Sequence, residues 1–148
     1  MTSTIILSCV ISLGLAQGIK TIIKSYQNRN WNWKTIIETM VESGGMPSAH
    51  TAFVVSLCTA LFFDQGITPL FIACVVFSLI IIRDSMGIRR AAGEHAKMIN
   101  MLLHEFKAIK KNRQIQAKQV KVLLGHTPTQ VIAGGILGLL VASIMYVI

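Results

Sequence analysis

Two histidines of this chain lie in short segments that contain glycine and proline, each where a long uncharged stretch begins. His50 closes the segment 44–50, and His126 lies in the segment 124–128. Neutral imidazole can attack phosphorus, and protonated imidazole can donate a proton to a leaving alkoxide, because the histidine pKa lies near neutrality. Two histidines in matching settings, in a chain with many arginines and lysines, predict a phosphoryl-transfer site at a membrane surface.

The residues beside the two histidines suit an anion. Gly45 permits unusual backbone angles, Pro47 is favoured in the first turn of a helix, and Ser48 supplies a hydroxyl there. In the second segment Thr127 can cap a helix, and Pro128 can occupy its first position. Because free N–H groups at a helix N-terminus bind anions, we expect both N-termini to face one phosphate. The alternative is that each histidine is part of an ordinary polar helix cap.

Long apolar helices must carry these residues. Of 148 residues, 53% are hydrophobic and 14% are charged, whereas a soluble domain carries about 25% charged residues. A membrane-spanning helix needs about 20 largely apolar residues. We therefore predict one domain, residues 1–148, that is all-α: a polytopic membrane helix bundle with about four spanning helices. The alternative is a soluble bundle of buried helices. The uncharged stretches are residues 3–19, 43–63 (about 48–63 as helix), 65–82 and 122–148.

The charges predict how the chain is oriented. All fourteen lysines and arginines fall in two segments, 20–42 and 83–121, and only Asp64 is charged between the second and third stretches. The positive-inside rule places both basic segments in the cytoplasm and both termini outside. His50 and His126 then share the cytoplasmic boundary of a cell membrane. Topology accounts for the net charge of +8, so no nucleic-acid partner is expected.

The second basic segment contains an amphipathic pattern. Apolar residues recur there at helical spacing, with basic residues among them. The pattern predicts a helix lying at the cytoplasmic interface, with its cations near anionic headgroups. The alternative is a solvated basic helix that packs on the protein. The apolar residues are Ile99, Leu102, Leu103, Phe106 and Ile109, and the basic ones are Lys107, Lys110, Lys111 and Arg113.

Three motifs carry a resemblance to a known family. Residues 47–50, P-S-A-H, resemble the P-S-G-H signature of the type 2 phosphatidic acid phosphatase and vanadium haloperoxidase superfamily. The whole set is more similar to its divergent bacterial and plastid branch. That branch carries G-G-M-P-S-x-H-(S/T)-A, D-x-x-G-x-R-R-x-x-G and L-L-G-H-T-P-x-Q-V, which this chain has at residues 44–52, 84–93 and 123–131. The resemblance runs through nearly the whole chain.

The resemblance implies dephosphorylation through a phosphohistidine, with no metal and no other cofactor. By motif, His126 would be the nucleophile and His50 the general acid. Ser48, the Gly45 region and Thr127 would contact the phosphate. The spacing of the histidines gives no independent reason to expect a metal, since there is no H-E-x-x-H and no histidine pair four residues apart.

The chain departs from the superfamily in two motifs. The first motif, a lysine followed by Arg-Pro, is not intact; Lys20 is the best positional match for its lysine, and Lys24 is the second. The residue four after His126 is glutamine rather than aspartate, and the residue six before it is valine rather than arginine. We infer that Arg89 or Arg90 replaces the arginine, and that Asp84 replaces the aspartate and orients His126. The alternative for Asp84 is an ion pair with an arginine.

The sequence therefore predicts a lipid phosphate phosphatase at the cytoplasmic leaflet. Its substrate would be a phospholipid or isoprenoid phosphate, such as phosphatidylglycerophosphate, phosphatidate or a polyprenyl phosphate. The alternatives are a catalytically silent scaffold that binds anionic lipid, and a transporter that uses the same pocket. Gly134, Gly135 and Gly138 offer a small-residue face. That face could form a homodimer or could pack within one subunit.

Overall fold

A computed structural model describes residues 2–28, 37, 44–109, 120 and 125–147 of the chain. Within those residues it contains five long α-helices and no strand. This confirms the prediction of an all-α membrane bundle. The helices are α1 Thr2–Asn28, α2 Ala49–Gln65, α3 Pro69–Met86, α4 Ile88–Ile109 and α5 Pro128–Val147.

Three helical stretches are long and apolar enough to cross a membrane: Ser3–Gln27 in α1, Pro69–Phe106, which runs through α3 into α4, and Pro128–Val147, which is α5. The fourth helix that the sequence predicts as a span is α2, which has 17 residues. At about 1.5 Å per residue it is about 25 Å long, somewhat shorter than a hydrocarbon core of about 30 Å. It packs between α1 and α5, so its neighbours cover much of its surface.

Local sequence explains where the helices begin and end. Gly66 ends α2 with a φ of 68°, and its N–H donates to the carbonyl of Phe62 at 2.9 Å. Thr68 then caps α3, since its hydroxyl accepts from the N–H of Phe71, and Pro69 occupies the first turn. A connection this short makes α2 and α3 antiparallel neighbours. A single residue, Gly87, separates α3 from α4.

The tightest packing joins α2 to α5 through glycines. A Cβ added to Gly134 would overlap the carbonyl oxygen of Ser48, and one added to Gly138 would overlap that of Ala52. Small residues allow two helix backbones this close. The small-residue face of α5 therefore packs within one subunit, which is the second of the two alternatives left open by the sequence.

The amphipathic helix predicted in the second basic segment is α4. It starts at Ile88, well before the predicted apolar pattern, and continues to Ile109. Of the residues in that pattern, Lys110, Lys111 and Arg113 lie outside the residues that the structure describes.

Candidate functional site

The two histidines lie at the same end of the bundle. His50 is the second residue of α2, and His126 lies two residues before α5. Their ring centroids are 6.1 Å apart, with an angle of 60° between the ring planes. The N–H of Ser48 donates to the carbonyl of Gln130 at 3.0 Å, which joins the first turns of the two helices. The structure thus brings both predicted histidines and both helix N-termini together.

Ser48 and Pro47 are arranged differently from what the sequence predicts. Ser48 is fully buried and is the N-cap of α2. Its Oγ accepts from the hydroxyl of Thr51 at 3.0 Å and lies 3.4 Å from the Thr51 N–H. The prediction that Pro47 lies in the first helical turn is wrong. Because Ser48 caps the helix, Pro47 precedes the cap and ends a cis peptide bond with Met46.

Gly45 makes room for a cation. It has a φ of 89°, and a Cβ there would lie 2.9 Å from Cγ and Cδ of Lys20. A residue with a side chain would be strained in this backbone conformation and would also press on the lysine. Lys20 comes from α1 and is only 5% exposed. The loop before α2 therefore folds over the buried stem of Lys20.

Gln130 orients the ring of His126. Its Oε1 lies 3.2 Å from Nδ1 of His126 and accepts the Thr127 N–H at 3.1 Å. Thr127 and Gln130 thus form half of a capping box, in which the N3 side chain reaches back to the N-cap N–H. Because an amide oxygen only accepts, Nδ1 of His126 carries the proton. Nε2 of His126 is then left with its lone pair.

No role for Gln130 is predicted from the sequence, in which it is only a departure from the superfamily's aspartate. The signal that would have found it is the spacing T-x-x-Q at residues 127–130, directly before an apolar run. The remaining contact of Thr127 is between its hydroxyl and that of Thr129, at 2.9 Å.

The pKa of His126 is lowered from its usual value near 6.5. Burial is the main cause, since the residue is 4% exposed, and the positive charges of His50, Lys20 and Arg89 act in the same direction. The hydrogen bond to Gln130 opposes the shift. The imidazole of His126 is therefore neutral at pH 7, which is the form that can act as a nucleophile.

Of the two predicted arginines, Arg89 is the one whose charge acts on His126. Its Nε donates to Oδ2 of Asp84 at 2.8 Å in a half-exposed ion pair. Asp84 thus makes the ion pair that was the alternative for this residue. Its predicted role in orienting His126 stays a prediction. Arg90 is exposed and contacts the second segment through its backbone, against which Gly125 packs too closely for a Cβ.

The segment before His126 is attached to α3 and α4 at three points. The N–H of His126 donates to the carbonyl of Ser85 at 2.9 Å, and Gly125 packs on Arg90. At the third point the Asn100 side chain forms two hydrogen bonds with the backbone of Val120, one to its N–H and one to its C=O, each 2.9 Å long. Val120 is the position where the superfamily has arginine, and these two backbone hydrogen bonds are the contacts that the structure gives it.

The fold and the site define an all-α membrane protein with two histidines and two basic side chains gathered at one end of its helices. The chain belongs to the Divergent PAP2 family, whose sequence profile matches residues 1–141. It is 34% identical over 157 residues to the Uncharacterized membrane protein YuiD of Bacillus subtilis (strain 168), an alignment that covers 98% of this chain and 95% of the relative. No solved structure matches it significantly. The family makes the chain a phosphatase-related membrane protein and confirms the resemblance noted in its motifs.

Proposed function

We propose that this protein is a lipid phosphate phosphatase that hydrolyses a phosphomonoester through a phosphohistidine on His126. The observation that carries the proposal is the pair of imidazoles 6.1 Å apart, with the charges of Lys20 and Arg89 acting on both. One ring is buried and has a fixed tautomer, and the other is exposed. Exposure lets the ring of His50 exchange protons with water, and the hydrogen bond to Gln130 leaves Nε2 of His126 free to attack.

The distance between the rings suits a phosphoryl group held between them. A nucleophile lies about 3–3.5 Å from the atom it attacks, and an acid lies about 2.6–3.2 Å from the atom it protonates. The two reacting nitrogens then need a separation of roughly 6–8 Å. Rings with centroids 6.1 Å apart reach that separation when the exposed ring of His50 turns about its side-chain bonds while the ring of His126 stays bonded to Gln130.

In the first step, Nε2 of His126 forms a bond to phosphorus while the bond from phosphorus to the lipid oxygen breaks. Protonated His50 donates its proton to that oxygen, so the lipid leaves as an alcohol. Lys20 and Arg89 stabilise the negative charge on the three remaining oxygens. Asp84 keeps the guanidinium of Arg89 in place through the 2.8 Å ion pair.

In the second step, water attacks the phosphorus of phosphohistidine. His50, now neutral, takes a proton from that water, and the electron pair of the broken P–N bond returns to Nε2 of His126. Inorganic phosphate leaves and both imidazoles regain their starting states. The exposure of His50 supports this role, because the incoming water has to reach it.

The substrate class follows from the setting. The site lies at the end of helices that cross a membrane, so a phosphate on a lipid headgroup reaches it without leaving the bilayer. We assign it to the cytoplasmic leaflet on the positive-inside rule. Phosphatidylglycerophosphate, phosphatidate and polyprenyl phosphates share the required monoester.

Phosphate release by the purified protein tests the proposal. The protein in detergent, with a chelator present, is given each of these lipid phosphates. We expect release from at least one, inhibition by vanadate as a pentacoordinate mimic, and loss of release in His126→Ala and His50→Ala. His104→Ala is the matched control, because His104 is an exposed histidine on α4.

Two outcomes would contradict the proposal. If phosphate release survives in both histidine variants, the roles assigned to His126 and His50 are wrong. If no lipid phosphate is hydrolysed but anionic lipid still binds, the protein is a silent scaffold rather than an enzyme.

The leaflet that the site faces has its own test. A C-terminal tag that is accessible only from the cytoplasm would overturn the assigned side.

A further inference from the structure

One side of α4 is apolar and exposed, and no part of the chain that the structure describes covers it. Ile99, Leu102 and Phe106 recur at spacings of three and four residues, so they share one side of the helix. They are 45%, 54% and 58% exposed. Ile88, the first residue of α4, is 74% exposed on the same side. His95 interrupts this side between Ile88 and Ile99, and the part from Ile99 to Phe106 is an exposed apolar patch of the kind that marks an interaction site.

The other two sides of α4 have different environments. Gly93 and Ala96 are buried, and Asn100 on the same side holds the backbone of Val120. The third side carries the ion pair between Lys97 and Glu94, at 3.1 Å and exposed. α4 therefore has a side toward the protein, a charged side and an apolar side, and only the apolar side lacks a partner among the described residues.

The position of α4 indicates what the apolar side meets. The helix follows the membrane-spanning α3 after Gly87 and lies at the end of the bundle where His126 lies. Two contacts ten residues apart, Arg90 with Gly125 and Asn100 with Val120, keep it beside the segment that leads to His126. At this level the spanning helices leave the bilayer, so an exposed apolar stripe reaches the boundary between acyl chains and headgroups.

The charges nearby favour an anionic bilayer. On α4 four basic residues, Arg89, Arg90, Lys97 and Lys107, outnumber the two acidic ones, Glu94 and Glu105, and the sequence from residue 110 to residue 121 adds five basic residues and no acidic one. Basic residues in excess beside an amphipathic helix attract acidic headgroups.

We propose that the apolar side of α4 lies in the surface of an anionic bilayer, making α4 an interfacial helix whose partner is lipid. This goes beyond the proposed phosphatase activity and does not depend on it. It gives α4 two contacts at once: lipid on one side and, through Asn100, the segment before His126 on another. The lipid surface thereby helps to place the loop that holds this histidine.

Spin labels on matched positions of α4 test the proposal without an activity measurement. Leu102→Cys and Phe106→Cys place labels on the apolar side, and Glu94→Cys and Lys97→Cys place them on the charged side. All four side chains have similar exposure in the structure, from 46% to 58%. A difference between the two pairs of labels therefore has to come from what covers the apolar side. The background has Cys9, Cys58 and Cys74 replaced by alanine, and its thermal stability is compared with that of the native protein first.

The full chain is reconstituted in vesicles of phosphatidylcholine and phosphatidylglycerol, and collisions with oxygen and with a water-soluble nickel chelate are measured. We expect the ratio of oxygen to nickel collisions to be at least about threefold higher at 102 and 106 than at 94 and 97. The difference should shrink in phosphatidylcholine alone and at high salt. Equal ratios at all four positions in the anionic vesicles would overturn the proposal.

Two other results would assign the surface differently. Labels at 102 and 106 that are shielded from both reagents, with spin–spin broadening, would show that a second copy covers the apolar side. If the labels at 102 and 106 are shielded from the nickel chelate equally with and without phosphatidylglycerol, anionic lipid is not required. Each of these outcomes contradicts the proposal as stated.

Discussion

The two histidine segments contain the same kinds of residue, yet the structure uses them in opposite ways. In the first segment Pro47 precedes the N-cap Ser48, and His50 follows inside the helix, where it is exposed. In the second segment His126 precedes Thr127, and Pro128 starts the helix, so His126 lies outside the helix and is buried. The order of histidine and cap along the chain decides the environment of each ring.

This difference separates a nucleophile whose ring is held from a proton donor whose ring is exposed. His126 has its Nδ1 bonded to Gln130 and its N–H bonded to Ser85, so its ring and its backbone are both held. The described polar contacts at the start of α2 are made by Ser48 and Thr51, and His50 is left to face solvent. We infer that the buried ring is the nucleophile and that the exposed ring exchanges protons.

The largest expected effect comes from removing each histidine in turn. His126→Ala should abolish turnover for every substrate, a loss of roughly 10³-fold or more, because the nucleophile is gone. His50→Ala should lose about 10²–10⁴-fold with a lipid alkoxide as leaving group, the range of general acid catalysis. Phosphate release is measured with each substrate. The phosphoenzyme is detected after the reaction has been stopped without acid.

An activated leaving group separates the two roles. The leaving group of an aryl phosphate needs no acid. With this substrate His50→Ala should recover much of the rate of the first step and should accumulate phosphohistidine, while His126→Ala should remain inactive. If instead His50→Ala is the variant that never forms phosphoenzyme, the two assignments have to be exchanged.

The second prediction concerns the packing that holds the two segments together. Gly134→Ala places a Cβ on the carbonyl oxygen of Ser48 and should destabilise the protein by about 1–3 kcal/mol, the range for overpacking. Gly135→Ala is the matched control, because its Cβ would lie at ordinary contact distances of 3.8 and 3.9 Å from Thr51 and Val55. Thermal unfolding in detergent measures both. Equal melting temperatures for the two variants would show that α2 and α5 are not in close contact at Gly134.

Much of the fold could be predicted, because apolar length is a strong signal for membrane helices. The predicted stretches 65–82 and 122–148 contain most of α3 Pro69–Met86 and α5 Pro128–Val147. The ends of the predicted stretches differ from the ends of the helices because uncharged loop residues extend an apolar stretch without being helical. The predicted stretch 3–19 was too short for α1, which continues to Asn28. Lys20 does not end that helix, since its side chain is buried at the site rather than exposed at the boundary.

The site was predicted less completely than the fold. Motif similarity identified both histidines, but the roles of the polar residues around them depend on contacts that spacing alone does not fix. Gln130 replaces a carboxylate and still reaches Nδ1 of His126, because the first turn of α5 carries its side chain back over the cap. Asp84 pairs with Arg89 because the α3–α4 junction places them side by side. Such contacts depend on helix geometry and on how the helices pack, and the packing is known only from the structure.

The third prediction tests Gln130, whose contact distinguishes the second segment from the first. Gln130→Ala removes the hydrogen bond that raises the pKa of His126, so this pKa should fall further and the acid limb of kcat/KM should move to lower pH. Turnover should drop about tenfold, since a hydrogen bond is worth about 1 kcal/mol and tenfold is about 1.4 kcal/mol.

Gln130→Glu supplies the opposite shift. The glutamate keeps the length needed to accept the Thr127 N–H, and its carboxylate stabilises the imidazolium of His126. The pKa of His126 should rise, and the acid limb of the pH profile should move to higher pH, because the nucleophile is lost to protonation sooner as the pH falls. Profiles of the native protein and both variants check this. Acid limbs that coincide in all three would mean that Gln130 does not act on His126.

The smallest expected effect concerns Asn100, which binds the chain just before the second segment. Asn100→Ala removes both hydrogen bonds to Val120, which are exposed and therefore weak. We expect kcat to fall a few-fold, roughly two- to fivefold, with KM unchanged, because His126 would be less well placed while the phosphate contacts remain. Hydrogen exchange of the Val120 amide should become faster in the same variant, which tests the contact without reference to activity. Lys97→Ala, three residues earlier on the charged side of α4, is the control and should change neither measurement. Faster exchange at Val120 with unchanged kcat would show that the contact exists but does not position His126, and the two segments would then differ only in how Gln130 holds the ring.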